Sequence, residues 1–360
     1  MSRVHTALLV LLRAGLWERK IEELSCFPLS AGEWKSLYLL SRQQTVTGIV
    51  FQGIQHLPED FLPADELLVR WMAETDAIER KNMQMNRILE SLVKWFAERG
   101  VQPVLQKGQG VARLYENPLL RECGDIDFYF DSRQMFENAF SLVHQGNLQE
   151  KVHADQSVVY TWKGVEVEHH IRLLDLHNPF LQRYAKELEQ KYGYDRMSLE
   201  KGQEVKIPSP VLNLLLQSLH ILKHALGWGV GLRQLCDMAR SCYKLHDEVE
   251  SEEIKKITLK LGMSRWHRLL HAFLVEHLGL PVAYLPYQEV ASDSSPLLDI
   301  VWRGGNFGQH VAGHQRKAQS PLAGKWQTAC AFQRNACFAF HYAPKEGFWV
   351  FSSLLKGQVK

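Results

Sequence analysis

The sequence predicts an α+β fold, a small mixed sheet flanked by N- and C-terminal helical regions. Stretches with apolar residues at spacings of three and four open and close the chain, and a run of short β-rich segments lies between them. The 360 residues are 46% hydrophobic, 23% charged and 10% aromatic, a globular balance with length for two or three domains or layers. That balance excludes a disordered tail protein, a collagen-like fibre and a disulfide-stapled miniature. No apolar run approaches the roughly 18–20 residues of a membrane span. Ala7 to Leu12 is apolar but is ended by Arg13, too short for a secretory segment. A cytoplasmic chain with no membrane partner is expected.

Residues 1–98 read as an N-terminal helical region. Within it, Ala64 to Arg99 carries helix formers throughout, with Leu67, Leu68, Trp71, Met72, Ile78, Met85, Leu89, Leu92 and Phe96 recurring on one face, and Gly100 ends the pattern. Residues 99–207 read as the α/β core. Val101 to Gln106 is a short apolar segment followed by Lys107-Gly108 and a helix over Gln109 to Tyr115. Ile126 to Phe130 reads as a strand and Arg133 to His144 as a helix. Ser157 to Trp162 and Val165 to Ile171 form a hairpin about Lys163-Gly164.

Residues 208–360 return to helix: Val211 to Leu226, Leu232 to Leu245, and two helices within Glu252 to Leu278. A long Gly-, Pro- and Ser-rich loop is expected over 281–324, with a terminal helical section after Lys325. The segment from Gly304 to Gly324, with Arg316-Lys317, has the composition of a lid over a bound nucleotide. From Ile300 onward the net charge is +7, against −5 for everything before it. The asymmetry fits either an anionic ligand near the C-terminal part or a solvated basic face. The six cysteines form no C-x-x-C pair, so reduced thiols and no structural zinc are expected.

The most informative stretch is Arg121-Glu-Cys-Gly124-Asp125-Ile-Asp127-Phe-Tyr-Phe130. Asp125 and Asp127 are two apart on the expected strand, so both point to one face with Cα atoms roughly 6.7 Å apart. Carboxylates converging from that separation can hold one or two Mg²⁺ (or Mn²⁺) ions, which activate a hydroxyl and neutralise a leaving pyrophosphate. A third acid comes from Val165-Glu166-Val167-Glu168-His169-His170, where Glu166, Glu168 and His170 share a face. The spacing does not choose between Glu166 and Glu168. Lys107-Gly108 sits where a strand meets a helix, and glycine there lets a phosphate approach free backbone N–H groups while Lys107 adds a charge. Arg121 either contacts a triphosphate or neutralises the acidic strand end. His220 and His224 stand one turn apart, as do Arg233 and Asp237; packed histidines and an Arg233–Asp237 pair are the simplest readings.

Together these pieces resemble the uncharacterised nucleotidyltransferase family of the DNA polymerase β-like superfamily. The likeness rests on Lys107-Gly108, Leu114-Tyr115-x-x-Pro118, Arg121-x-x-Gly124-Asp125-Ile-Asp127 and Glu168-x-His170-x-Arg172. His220-x-x-x-His224, Gly231-Leu-Arg233-x-x-x-Asp237 and Gly305-Asn-Phe-Gly308 extend it, so that it covers about residues 5 to 350. The resemblance implies a small mixed-sheet nucleotidyltransferase core that moves an NMP from an NTP to an acceptor hydroxyl and releases pyrophosphate. It implies Asp125, Asp127 and Glu168 as catalytic metal ligands, with Glu168 also the base. Lys107, Gly108, Arg121 and Gly124 are implied at the nucleotide phosphates, with His170, Arg172 and Arg233 behind them. Two departures stand out: the superfamily usually has Gly-Ser where this chain has Lys107-Gly108, and commonly Asp where it has Glu168. A small molecule or protein hydroxyl is expected as acceptor ahead of RNA. The alternative is a silent member that binds or regulates without turnover.

Overall fold

The computed structural model describes residues 1–153, 156–227, 229–304 and 336–355. The N-terminal region comprises α1 (Arg3–Trp17), α2 (Ala31–Gln43), α3 (Thr47–Ile54) and the long α4 (Asp65–Ala97). Ser2 caps α1, and Ser30 and Glu33 close a reciprocal capping box on α2. The short apolar run Ala7 to Leu12 is the buried heart of α1. That helix crosses α3 at backbone contact: a Cβ on Gly15 would lie 1.8 Å from the Ile49 carbonyl, and one on Gly53 would lie 1.9 Å from that of Leu11. The two glycines make the crossing possible.

The central region is β1 (Val104–Leu105), α5 (Gly108–Ala112), β2 (Ile126–Tyr129), α6 (Arg133–Gln145), β3 (Lys151–Val152), β4 (Val158–Trp162), β5 (Val165–His170), α7 (Gln182–Tyr192), β6 (Tyr194–Ser198) and β7 (Glu204–Pro208). The strands form one mixed seven-stranded sheet in the order β3-β4-β5-β2-β1-β7-β6. The expected hairpin is β4–β5, turning through Lys163 (φ 48°) and Gly164 (φ 83°) as a tight right-twisting hairpin requires. Four elements are additional to the sequence reading. β3 extends one edge, and the charge-rich α7 and the β6–β7 hairpin fill the stretch before the C-terminal helices.

Alternation divides the sheet into two faces. Ile126, Phe128, Phe130, Tyr160, Val167 and His169 pack with Met85 to Phe96 of α4 and with Ala139 and Val143 of α6. The opposite face carries Val104 and Tyr129 into the larger core, which the C-terminal helices complete. These are α8 (Pro210–Leu226), α9 (Leu232–Leu245), α10 (Ser251–Leu261), α11 (Ser264–Glu276), α12 (Ser295–Gly304), α13 (described over 336–342) and α14 (Pro344–Leu355). α12 corrects the expectation of an unbroken loop over 281–324. Residues 305–324 of that loop, with the glycine run at 305–308 and the lid segment beyond Gly304, lie outside the described residues. No described helix is long and apolar enough to cross a membrane.

Candidate functional site

β2 and β5 run parallel side by side, with Asp127 opposite Glu168 and Tyr129 opposite His170. Because side chains alternate, Asp127, Glu168 and His170 emerge together on the face away from α4 and α6. One ligand atom from each lies within 4.8 Å of the other two. His170 Nε2 stands 2.7 Å from Asp127 Oδ1, and Lys107 Nζ stands 3.5 Å from Asp127 Oδ2. The pairing distinguishes the two candidate acids. Glu168 sits beside Asp127, whereas Glu166 is one step further out and exposed.

Asp125 precedes β2 by one residue and is less buried than Asp127. The negative charge of Asp127, followed by burial, pushes the Asp125 carboxyl up to about 6. Burial alone would raise Asp127 as well, but Lys107 and the His170 hydrogen bond hold it well below the usual carboxylate range. Two carboxylates thus compete for ionisation in one place, and a cation between them would relieve the conflict. The donor set fits a hard divalent ion: carboxylate oxygens from Asp127 and Glu168 suit Mg²⁺, and Mn²⁺ would also accept the His170 nitrogen, whereas Asp125 is not a member of that three-residue group.

The segment leading into Asp125 is secured from several helices. Asn82 on α4 donates to the carbonyls of Leu119 and Arg121 at 2.7 and 2.9 Å. The N–H of Thr47, at the start of α3, donates to Glu122 Oε1 at 2.9 Å. Arg121, expected at a triphosphate or at the acidic strand end, is turned inward. Its Nε and Nη2 donate to the two oxygens of Asp237 at 3.0 and 2.6 Å, and Tyr115 donates to the same carboxylate at 2.7 Å. Arg233 Nη1 donates to the Glu122 carbonyl at 2.8 Å. Gly124, beyond this anchored stretch, is exposed with open space about it.

Lys107 occupies φ 33°, ψ −145°, a region that only glycine enters without strain, and Gly108 follows at φ 47°. A lysine held there stores about 1–3 kcal/mol. Lys107→Gly is therefore expected to be more stable than Lys107→Ala by about 1 kcal/mol after allowing for the extra chain entropy of glycine. Both variants lose the ammonium, so the strain and the chain entropy of glycine are what differ. Equilibrium denaturation measures the gap, and an alanine variant as stable as the glycine one would refute it. The helix that follows, α5, has only five residues, so its dipole contributes little.

Arg172 lies at the exposed rim, where its Nη1 donates to the Leu176 carbonyl at 3.4 Å. The same loop carries Asp175, which pairs with Lys223 on α8. It also presents the N–H groups of His177 and Asn178 to the buried carboxylate of Glu346 on α14. Sequence reasoning missed both links, because neither spacing nor motif ties Asp175 to Lys223 or Glu346 to this loop. His220 and His224 pack edge to face with ring centroids 4.4 Å apart on α8.

The profile of the uncharacterised nucleotidyltransferase family matches residues 30–279, well over half of the chain. The chain belongs to that family. The matched span includes Lys107, the β2 acids, Glu168 and His170 on β5, and helices α8 and α9. No curated protein and no solved structure matches the chain. Membership of a nucleotidyltransferase family implies an NTP substrate, and the matched span contains the Asp127–Glu168–His170 group, whose ligand atoms lie close enough to hold a metal ion.

Proposed function

We propose that this protein transfers an NMP from an NTP to an acceptor hydroxyl, with release of pyrophosphate, on a DNA polymerase β-like nucleotidyltransferase core. The observation that supports this most is the parallel β2–β5 register, which sets Asp127 beside Glu168 with donor atoms within 4.8 Å. Asp125, Asp127 and Glu168 would hold Mg²⁺ or Mn²⁺, which when bound polarises the transferred phosphoryl group and neutralises the departing pyrophosphate. His170 orients Asp127 through its 2.7 Å contact. Glu168 takes the acceptor's hydroxyl proton as that oxygen bonds to the α-phosphorus. The bridging α–β P–O bond breaks, and its electron pair leaves with pyrophosphate. Lys107, half-buried, and the open mouth at Gly124 are the parts of the expected phosphate set that remain accessible, while Gly108 is buried. Arg121 is excluded from it by its bonds to Asp237. A small molecule or protein hydroxyl is the favoured acceptor.

One observation favours the silent alternative: Lys107 Nζ lies 3.5 Å from Asp127, so an ammonium already offsets part of the acid charge. The two readings separate in one experiment. ATP, GTP, CTP and UTP are titrated calorimetrically with Mg²⁺ into wild type and Asp125→Asn/Asp127→Asn, and pyrophosphate is assayed in parallel. Metal-dependent binding that the double variant loses, accompanied by pyrophosphate release, is the expected result. Binding without release favours the silent form, and failure to bind any of the four NTPs sinks both.

A further inference from the structure

α14 turns Glu346, Gly347 and Val350 inward. At its crossing with α13, a Cβ on Gly347 would lie 3.1 Å from that of Ala339. The outer face of such a surface helix is normally polar, yet here it carries Phe348, 55% exposed. Among the described residues, every exposed phenylalanine lies on the C-terminal helices or the turn they hold. These are Phe340 on α13, Phe348 and Phe351 on α14, and Phe180 on the turn Pro179–Leu181. Trp349 joins two of them, packing edge to face on Phe180 and Phe348 with ring centroids 5.8 and 5.4 Å apart. Phe180, 81% exposed, stands on a pinned turn. Glu346 accepts from the N–H groups of His177 and, at 3.3 Å, of Asn178. Asn178 Oδ1 in turn accepts from the Phe180 N–H at 3.0 Å. A lone exposed apolar side chain is ordinary, whereas a joined group of rings on a fixed support marks a contact site.

The charges around the patch identify its partner. Glu346 is the only acid from residue 300 onward, against eight lysines and arginines, and it is buried against the turn. Lys345 beside it is exposed, and Lys356 and Lys360 follow α14 in the sequence. The acids near Phe180 are already matched, Asp175 by Lys223 and Glu187 by Arg183. The patch is therefore apolar and cationic. A second copy docked on the same face would set like charges against each other. An anionic bilayer satisfies both properties, since aromatic side chains enter its interface and lysines meet its headgroups.

We propose that the aromatic patch of α14, α13 and the Phe180 turn is the surface by which this protein rests on an anionic membrane. The contact is peripheral and needs no spanning segment. It departs from the expectation of no membrane partner, which followed from the lack of a long apolar run, and it is independent of the nucleotidyltransferase reading.

The test sediments the full chain with vesicles of phosphatidylcholine alone and of phosphatidylcholine mixed with phosphatidylserine. The variants are Phe180→Ser/Phe348→Ser, Lys345→Gln and, as a control, Met72→Ser, which removes an exposed apolar side chain on α4. All four positions are exposed, so the variants keep the fold, which unfolding midpoints verify. Wild type is expected to bind the mixed vesicles, less so in high salt, and the neutral ones far more weakly. The double variant should bind about tenfold more weakly or worse, the effect of withdrawing two phenylalanines from an apolar phase. Lys345→Gln should lose about fivefold, the effect of one cation near an anionic surface, and Met72→Ser should match wild type. A wild type that ignores the mixed vesicles, or a double variant that binds them equally well, would overturn the proposal. Equal binding to both kinds of vesicle would refute the anionic assignment. Self-association of wild type that the double variant loses, without vesicle binding, would give the patch to a second copy. A single-stranded oligonucleotide bound in the same pattern would give it to nucleic acid.

Discussion

Arg121→Met is expected to lower the unfolding free energy by about 3–5 kcal/mol, the cost of leaving one partner of a buried ion pair unmatched. The Arg121 and Asp237 side chains are 5% and 8% exposed, so water cannot replace the lost contacts. Asp237 would keep only the Tyr115 hydroxyl of its three described side-chain donors. The effect should be one of mismatch rather than of net ion-pair strength. Arg121→Met/Asp237→Leu/Tyr115→Phe, which removes the whole polar group, should recover most of the stability, since apolar replacements of a buried pair are often neutral. Denaturant midpoints measure both variants. A single variant within about 1 kcal/mol of wild type, or a triple variant no better than the single, would contradict the account. Arg121 also donates to the Glu122 carbonyl at 3.3 Å and to Cys123 Sγ at 3.1 Å. The triple variant should therefore regain its fold and still bind nucleotide poorly, because the approach to Asp125 has lost its anchor.

That internal role of Arg121 marks where the sequence stops being legible. Signals carried by neighbouring residues could be read directly. The periodicity of α4, the Lys163-Gly164 turn and the β-rich segment ending in Phe130 each depend on local spacing, and all lie close to their expected limits. Long-range choices could not be read. Asp237 stands four residues after Arg233 on one helix, which suggests a pair. Both its oxygens accept from Arg121, 116 residues away, because α9 packs its buried face toward the Arg121 segment. The β6–β7 hairpin escaped notice because Tyr194 to Ser198 is mostly polar and partly exposed, so edge position blurs the alternation of apolar residues. Ala7 to Leu12 could be judged only too short for a membrane span. Its burial depends on Gly15 and Gly53 meeting across α1 and α3, a contact between segments that no local pattern announces.

The same distinction decides the third acid and supplies the other large effect. Alternation limits the choice to Glu166 or Glu168, and only strand register selects between them. Asp127 pairs with Glu168 across β2 and β5, so the two carboxylates share one position along the sheet, while Glu166 faces outward beyond it. Asp127→Asn should therefore lower any turnover by about a thousandfold or more, since a metal contributes several kcal/mol of transition-state charge stabilisation and each 1.36 kcal/mol is tenfold in rate. Glu168→Gln should behave similarly, whereas Glu166→Gln should remain near wild type. Mn²⁺ binding, followed by water-proton relaxation with a non-hydrolysable NTP present, reads the same order without knowledge of the acceptor. Asn at 127 keeps the shape but removes the charge that Lys107 and His170 face, so its effect on the fold should be far smaller than its effect on the metal. If Glu166→Gln loses Mn²⁺ and Glu168→Gln retains it, the β2–β5 register is not what assembles the site.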